Sequence, residues 1–140
     1  MTTQRAPSKI IPRAFPGIKL PEIEELIANS QVRTYTAGTV LCRENAIEDR
    51  FYMILEGEVE VTKNINNSEA RLLKTLSPGD FFGEMGAMAS DQRRTATVVA
   101  TSPMKALRLT THQLRRIADE SPDITDRLRT AIADREQRLL

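Results

Sequence analysis

The hydrophobic pattern along the chain changes period twice, from helical to strand-like and then back to helical. In the first helical stretch the apolar side chains are spaced i, i+3 and i+4 on one helix face, and they are Ile23, Leu26 and Ile27. Pro21 suits the first helical turn, and the glutamates that follow it favour the positive end of a helix dipole. The pattern predicts a helix from Pro21 to about Asn29.

The segment before this helix, residues 1–20, shows no sustained apolar period. It carries prolines at positions 7, 12 and 16. Because proline lacks a backbone N–H donor and breaks regular structure, this composition predicts an extended N-terminal arm over residues 1–20. The folded domain is expected to occupy residues 21–140.

Short apolar stretches separated by turn residues occupy residues 31–109. The stretches are rich in Val, Thr, Tyr, Phe and Ile, which favour strands, and glycine marks turns at residues 36–39, 56–58 and 77–80. Polar and apolar residues alternate in residues 105–109, which predicts a strand with one dry and one wet face. The region is expected to form a small antiparallel sandwich or barrel.

Helical spacing returns after residue 109, where two further helices are predicted. Thr110 is a suitable N-cap for the first, and Ser121 followed by proline starts the second. The second helix is charged except for one apolar stripe, formed by Ile124, Leu128, Ile132 and Leu139. Two interpretations of the stripe stay open, a docking face for the β-region or the seam of a homodimer. The predicted fold is mainly β with flanking helices, one N-terminal and two within residues 110–140.

Length and composition restrict the classes of protein to which the chain can belong. Its 140 residues suit one domain, and 40% hydrophobic with 28% charged residues is typical of a globular protein in water. No apolar run approaches the ~20 residues that a membrane helix needs, and the first residues lack the apolar stretch of a signal peptide. We therefore expect a cytoplasmic protein without membrane contact.

Charge and the scarcity of metal-binding side chains argue against further classes. The net charge of +1 provides no overall field that would attract nucleic acid, so no direct nucleic-acid contact is expected. One cysteine, Cys42, and one histidine, His112, cannot form a zinc site of four protein ligands. Neither paired catalytic carboxylates nor an activated nucleophile is indicated, so the chain is expected not to be an enzyme.

The most informative segment for chemistry lies between two predicted strands, at residues 82–98. Gly83 and Gly86 let the backbone pass close to a ligand, and a short helix following Gly83 would direct unpaired amides at an anion. Arg94 adds a planar fork of donors, and Thr95 adds a hydroxyl. These groups favour a phosphate.

Glu84, in the same segment, narrows the choice of ligand. A carboxylate repels a phosphate but accepts hydrogen bonds strongly, so it fits only a ligand that also presents a hydroxyl, as a ribose does. Phosphate and ribose together indicate a nucleotide. The alternative that spacing leaves open is a glycine turn with a surface ion pair between Glu84 and Arg94.

The same segment carries a resemblance to a known family. Residues 82–88 (FGEMGAM) and 94–98 (RTATV) resemble the phosphate-binding cassette of cyclic nucleotide-binding domains. Residues 36–41 (TAGTVL), 51–61 (FYMILEGEVEV) and 76–81 (LSPGDF) resemble the strand and glycine-turn sequences of that family, in the family order. The match is specific because several separated motifs occur together.

For residues 21–140 the resemblance implies an eight-stranded antiparallel β-roll, with a C-terminal helix that closes over the ligand. The residues implied to bind a cyclic nucleotide are Gly83, Glu84, Met85, Gly86, Arg94 and Thr95. Among them, Glu84 would accept from the ribose 2′-hydroxyl, and Arg94 with Thr95 would hold the cyclic phosphate. The residues implied to line the base are Val61, Leu73, Arg135 and Leu139.

Thr95 bears on which base is bound. In this family a hydroxyl after the cassette arginine is linked to tolerance of cGMP, yet relatives selective for cAMP carry it as well. The resemblance therefore favours cAMP and keeps cGMP as the alternative ligand. No other cofactor and no metal are implied.

The implied function is a cyclic nucleotide sensor whose C-terminal helix signals to an unknown protein partner or to an attached output domain. A homodimer through that helix is a further possible arrangement. The competing hypothesis is a ligand-free β-roll that acts as a scaffold for protein–protein interaction. The sequence leaves open whether the chain is a stand-alone protein or part of a longer one.

Overall fold

The computed structural model describes residues 7–44, 49–65, 69–84 and 96–139, without the side chains of residues 65, 69, 70 and 135–139. These ranges contain four helices, which are α1 (Pro7–Ala14), α2 (Leu20–Ala28), α3 (Thr111–Asp119) and α4 (Pro122–Leu139). They also contain eight strands, which are β1 (Gln31–Tyr35), β2 (Val40–Cys42), β3 (Arg50–Glu56), β4 (Val59–Ile65), β5 (Glu69–Leu76), β6 (Phe81–Phe82), β7 (Thr97–Ala100) and β8 (Met104–Thr110).

The strands form two four-stranded sheets. The strand order is β1-β8-β3-β6 in the first sheet and β2-β7-β4-β5 in the second. Each pairing between these strands is antiparallel, and the chain passes several times from one sheet to the other. The prediction of a mainly β fold with eight antiparallel strands and flanking helices is confirmed.

Two hydrophobic cores lie on opposite faces of the first sheet. In β3, Phe51 and Met53 belong to the helix-facing core, which also contains side chains of all four helices, whereas Tyr52 and Ile54 belong to the inter-sheet core. The predicted wet face of residues 105–109 is wrong. Ala106 and Leu107 point to opposite faces of β8 and are both buried, because the second sheet covers one face and the helices cover the other.

The segment that precedes α2 is helical, so the predicted extended arm is wrong for residues 7–14. Pro7 begins α1, where a missing N–H costs no hydrogen bond, and Pro12 lies inside the helix. Ile10 and Ile11, with Phe15 just beyond the helix, are completely buried in the helix-facing core. Burial of three such side chains, each worth about 1.5–3 kcal/mol, outweighs a cost of about 3 kcal/mol for an internal proline.

The predicted boundaries of α2, of the three glycine turns and of the starts of α3 and α4 are confirmed, whereas the short helix predicted after Gly83 lies outside the described residues. Helix α2 carries proline in its first turn and ends at Ala28. The three predicted glycine turns join β1 to β2, β3 to β4 and β5 to β6. Thr110 caps α3, since its Oγ1 accepts a hydrogen bond of 3.0 Å from the backbone N–H of Gln113. Helix α4 begins at Pro122.

Helix α4 packs its apolar stripe against the helix-facing core. Ile124 and Leu128 are completely buried there, which confirms the docking interpretation for this part of the stripe. The hydroxyl of Ser121 donates to the carboxylate of Glu22, which ties the start of α4 to α2. The side chain of Leu139 lies outside the described residues, and a homodimer through the helix stays a prediction.

Candidate functional site

Strand β6 leads into the segment that carries the predicted chemistry. The ring of Phe82 stacks on the ring of Tyr52 in β3, with centroids 4.8 Å apart. The ring of Phe81 stacks on the ring of Phe15, with centroids 5.3 Å apart. Gly83 follows with φ of 87°, a left-handed conformation that favours glycine. Because β6 belongs to the first sheet and β7 to the second, the segment between them connects the two sheets.

Glu84 is buried at the beginning of this connection, with only 1% of its surface exposed. A buried carboxylate is costly unless it is hydrogen-bonded, so its presence at this position indicates a specific polar role. The alternative interpretation placed Glu84 in a surface ion pair with Arg94. The burial of Glu84 contradicts this surface position. Met85, Gly86, Arg94 and Thr95 lie outside the described residues, and their predicted roles stay predictions.

The other end of the connection enters β7 beside the predicted base-lining residues. Val61 of β4 is half-buried and lies opposite Val98 of β7, the second residue of that strand. Leu73 is the extra residue of a β-bulge on β5, because Val61 pairs with Lys74 and the next residue of β4 pairs with Leu72. Val61 and Leu73 therefore lie on adjacent strands, with Val61 next to the start of β7 and Leu73 one strand further away.

Glu44 is a further residue of this region that sequence reasoning missed. Its backbone N–H donates to Thr97 Oγ1 at 3.0 Å, and its carboxylate accepts from the backbone N–H of Asn64 at 2.9 Å. It thereby links the end of β2 to β4 and to the start of β7. No motif marks it, since its partners are 20 and 53 residues away in the chain.

Arg127 of α4 connects the C-terminal helix to two other elements. Its Nε donates to the backbone carbonyl of Ala14 at 3.1 Å, and its guanidinium lies 5.1 Å from the ring centroid of Phe81. One side chain thus holds α4, the end of α1 and the strand that precedes Glu84. The predicted base-lining residues Arg135 and Leu139 also belong to α4, but their side chains lie outside the described residues.

Arg127→Ala is expected to reduce the free energy of unfolding by about 2–3 kcal/mol. The substitution removes a charged hydrogen bond, worth about 1.5–3 kcal/mol, and a cation–π contact of about 0.5–1 kcal/mol, with some loss to solvent screening because the side chain is half-buried. Urea denaturation measures the change. Arg129→Ala, an exposed arginine two residues later, is the matched control and should change stability by less than about 0.5 kcal/mol. Equal effects of the two substitutions would contradict a special role for Arg127.

Comparison with known proteins decides the family. Residues 32–121 match the sequence profile of the cyclic nucleotide-binding domain. The chain belongs to this family. The matched range begins in β1 and ends immediately before α4, so it contains the connection between β6 and β7 and both of the base-lining strands.

Two curated relatives carry the domain within longer proteins. The cGMP-dependent protein kinase, isozyme 1, of Drosophila melanogaster is 38% identical over 86 residues, which are 57% of this chain and 11% of the kinase. The cAMP-activated global transcriptional regulator CRP of Pasteurella multocida is 27% identical over 117 residues, which are 84% of this chain and 56% of the regulator. The chain therefore spans only part of the length of each relative.

A solved structure of a ligand-bound relative has the same fold. The regulatory domain of Toxoplasma gondii PKA, crystallised with cAMP, superposes with a TM-score of 0.73 at 26% sequence identity. The superposition covers 79% of this chain and 42% of that structure. The family resemblance that the sequence motifs carried is thus confirmed by the fold.

Within the described ranges, two features are absent, a membrane-spanning helix and a metal-binding cluster. None of the helices there is long and apolar enough to cross a membrane. In the same ranges, no group of three or more His, Cys, Asp or Glu side chains is arranged to hold a metal ion.

Proposed function

We propose that this cyclic nucleotide-binding domain is a non-catalytic sensor that binds cAMP in the segment between β6 and β7. Binding repositions α4, which signals to a protein partner or to an attached domain. Beyond the family assignment, the proposed features are the binding segment, the preferred base, the moving element, the recipient of the signal and the absence of catalysis. A cytoplasmic location belongs to the same proposal.

The burial of Glu84 is the observation that carries the proposal. The buried carboxylate of Glu84 suits a ligand that presents a hydroxyl, because a carboxylate accepts hydrogen bonds strongly. The left-handed Gly83 beside it suits a ligand group that the backbone must approach closely. The ribose and cyclic phosphate of cAMP have these two properties. The proposed contacts are Glu84 with the ribose, Gly83, Met85 and Gly86 with the phosphate through backbone, and Arg94 with Thr95 around the phosphate.

The neighbouring strands and α4 supply the proposed base site. Val61 and Leu73 lie side by side on β4 and β5 and offer apolar contact to one face of the base. Arg135 and Leu139 of α4 would cover the other face. A ligand can move the helix only by the difference in its affinity for the two helix positions, so contact between α4 and the base is an essential part of the proposal.

The first experiment is titration calorimetry of nucleotide-free protein with cAMP and, separately, with cGMP. We expect saturable binding of both with higher affinity for cAMP. Thermal unfolding provides a second readout, because a ligand at 100 times its dissociation constant adds about 2.7 kcal/mol of stability. Absence of binding and of any thermal shift with either nucleotide would contradict the sensor and support the scaffold hypothesis.

Arg94→Ala is expected to weaken cAMP binding by about 10- to 150-fold. The reason is the loss of a charged hydrogen bond to the phosphate, which contributes roughly 1.5–3 kcal/mol. Arg93→Ala is the matched control, since it removes the same charge from the adjacent position and is expected to leave affinity close to that of the unmodified protein. Calorimetry measures both variants. Undiminished affinity in Arg94→Ala would show that the phosphate is bound elsewhere.

A further inference from the structure

Two surface grooves of opposite charge lie side by side on this domain. The acidic groove, of about 580 Å³, lies between α2 and α3, and its charged residues are Glu22, Glu25, Asp119 and Glu120 with one arginine, Arg116. The basic groove, of about 330 Å³, lies at the beginning of β1, and its charged residues are Arg33, Arg50 and Arg108. Both grooves include Asn29 and Gln113 in their lining, so the two are contiguous.

The basic groove holds two guanidinium groups together around a neutral side chain. Arg33 and Arg108 both donate to Oε1 of Gln31, at 2.8 and 3.0 Å. In the part of the chain that the structure describes, neither arginine has a carboxylate within ion-pair distance, whereas Arg50 pairs with Asp49 at 2.9 Å. A single amide oxygen does not balance two positive charges, so this arrangement is complementary to carboxylates from outside the chain.

The acidic groove has charges that the stability of its own helices does not explain. Asp119 and Glu120 lie at the C-terminal end of α3, where the helix dipole disfavours negative charge. Both side chains are exposed, as is that of Glu25. Glu22 and Glu25 differ, because both also have a partner within the fold. Glu22 accepts from the backbone N–H of Lys19 and from Ser121, and the Glu25 carboxylate accepts from the side-chain amide of Asn29 at 3.0 Å.

We propose that these two grooves form a self-complementary interface with a second copy of this chain. A two-fold axis near Asn29 and Gln113 exchanges the two grooves, so that Arg33 and Arg108 of each copy lie opposite the carboxylates of its partner. Both contacts then form at once, and each brings carboxylates to Arg33 and Arg108. The interface involves α2, α3 and the beginning of β1.

Sedimentation velocity at several ionic strengths provides the first test. At low salt we expect a dimer, and at about 1 M salt, where the Debye length falls to roughly 3 Å, we expect dissociation to the monomer. A chain that stays monomeric at low salt, at the highest concentration at which it is soluble, would overturn the proposal.

Charge reversal distinguishes this interface from any other. Arg33→Glu with Arg108→Glu, and separately Glu25→Lys with Glu120→Lys, place like charges opposite each other in each homodimer, so each variant should be monomeric. An equal mixture of the two variants restores opposite charges at both contacts of a heterodimer, and the mixture should therefore dimerise. The control for the arginine reversal, Lys9→Glu with Arg71→Glu, makes the same charge change at exposed positions outside both grooves and should leave the dimer intact.

Each remaining outcome of this experiment contradicts the proposal. Dimers that survive both reversals would place the interface elsewhere, for example on α4. Two monomeric variants whose mixture stays monomeric would show that the grooves do not face each other. Thermal unfolding of each variant confirms that it is folded, and cAMP titration of the same variants separates this proposal from the sensor function, because nucleotide affinity should be unchanged.

Discussion

Phe81→Ala is expected to lower the free energy of unfolding by about 3–5 kcal/mol, which corresponds to a fall in melting temperature of roughly 10–20 °C. The ring is 2% exposed and stacks on Phe15 at 5.3 Å with an interplanar angle of 8°. It also contacts Phe51 at 5.5 Å and lies beneath the guanidinium of Arg127. Removal of the ring therefore leaves a cavity shared by α1, β3 and α4.

Thermal and urea unfolding followed by circular dichroism measure this loss. Leu72→Ala is the control, because Leu72 is 52% exposed and its truncation should cost less than about 0.5 kcal/mol. If Phe81→Ala does not fold, Phe81→Leu keeps part of the apolar volume and allows the loss to be measured. A loss below about 1 kcal/mol in Phe81→Ala would contradict the packing described for this ring.

Gly57→Ala is expected to cost about 2–5 kcal/mol of stability, for two separate reasons. Gly57 has φ of 87°, where a residue with a Cβ pays about 1–2 kcal/mol. The added Cβ would also lie 2.5 Å from the carbonyl oxygen of Pro103 and 2.7 Å from Cβ of Met104, and such overpacking costs about 1–3 kcal/mol. The backbone cannot easily move away, because the next residue, Glu58, is hydrogen-bonded to Thr101 and Ser102.

Gly38→Ala separates the two contributions to this cost. Gly38 has φ of 91°, but an added Cβ at this position would meet no atom within 4 Å. Its substitution should therefore cost only the conformational part, about 1–2 kcal/mol. Urea denaturation of both variants measures the difference, and an equal loss in the two would show that the contact with Pro103 and Met104 is relieved by small movements.

Local signals in the sequence were sufficient for most of the fold. Proline in the first turn of α2, Thr110 at the start of α3 and the glycine turns each act within a few residues, so their effects can be predicted without a structure. Helix α1 was missed because its prolines oppose a helix locally, whereas its stability comes from burial of Ile10 and Ile11 against distant strands. The prediction of a wet face for β8 was wrong for a similar reason, since the helices that cover one face of this strand are brought there only by the tertiary fold.

In the candidate site, too, the residues with local sequence signals could be predicted and those with distant partners could not. Gly83 and Glu84 could be proposed from the sequence because they lie in one short segment whose residue types indicate a single ligand. Arg127 and Glu44 could not, because their partners are far away in the chain, 113 residues in the case of Arg127 and Ala14. An arginine on a charged helix has no local feature that distinguishes it from its solvated neighbours.

The hydrogen bond from Arg127 to Ala14 connects the C-terminal helix α4 to the N-terminal helix α1. Any force that displaces α4 must either break this bond or carry α1 with it, because Ala14 is the last residue of α1. A domain fused before α1 would therefore have a physical connection to the C-terminal helix through this bond. The first helix is for this reason an attachment point from which movement would reach α4.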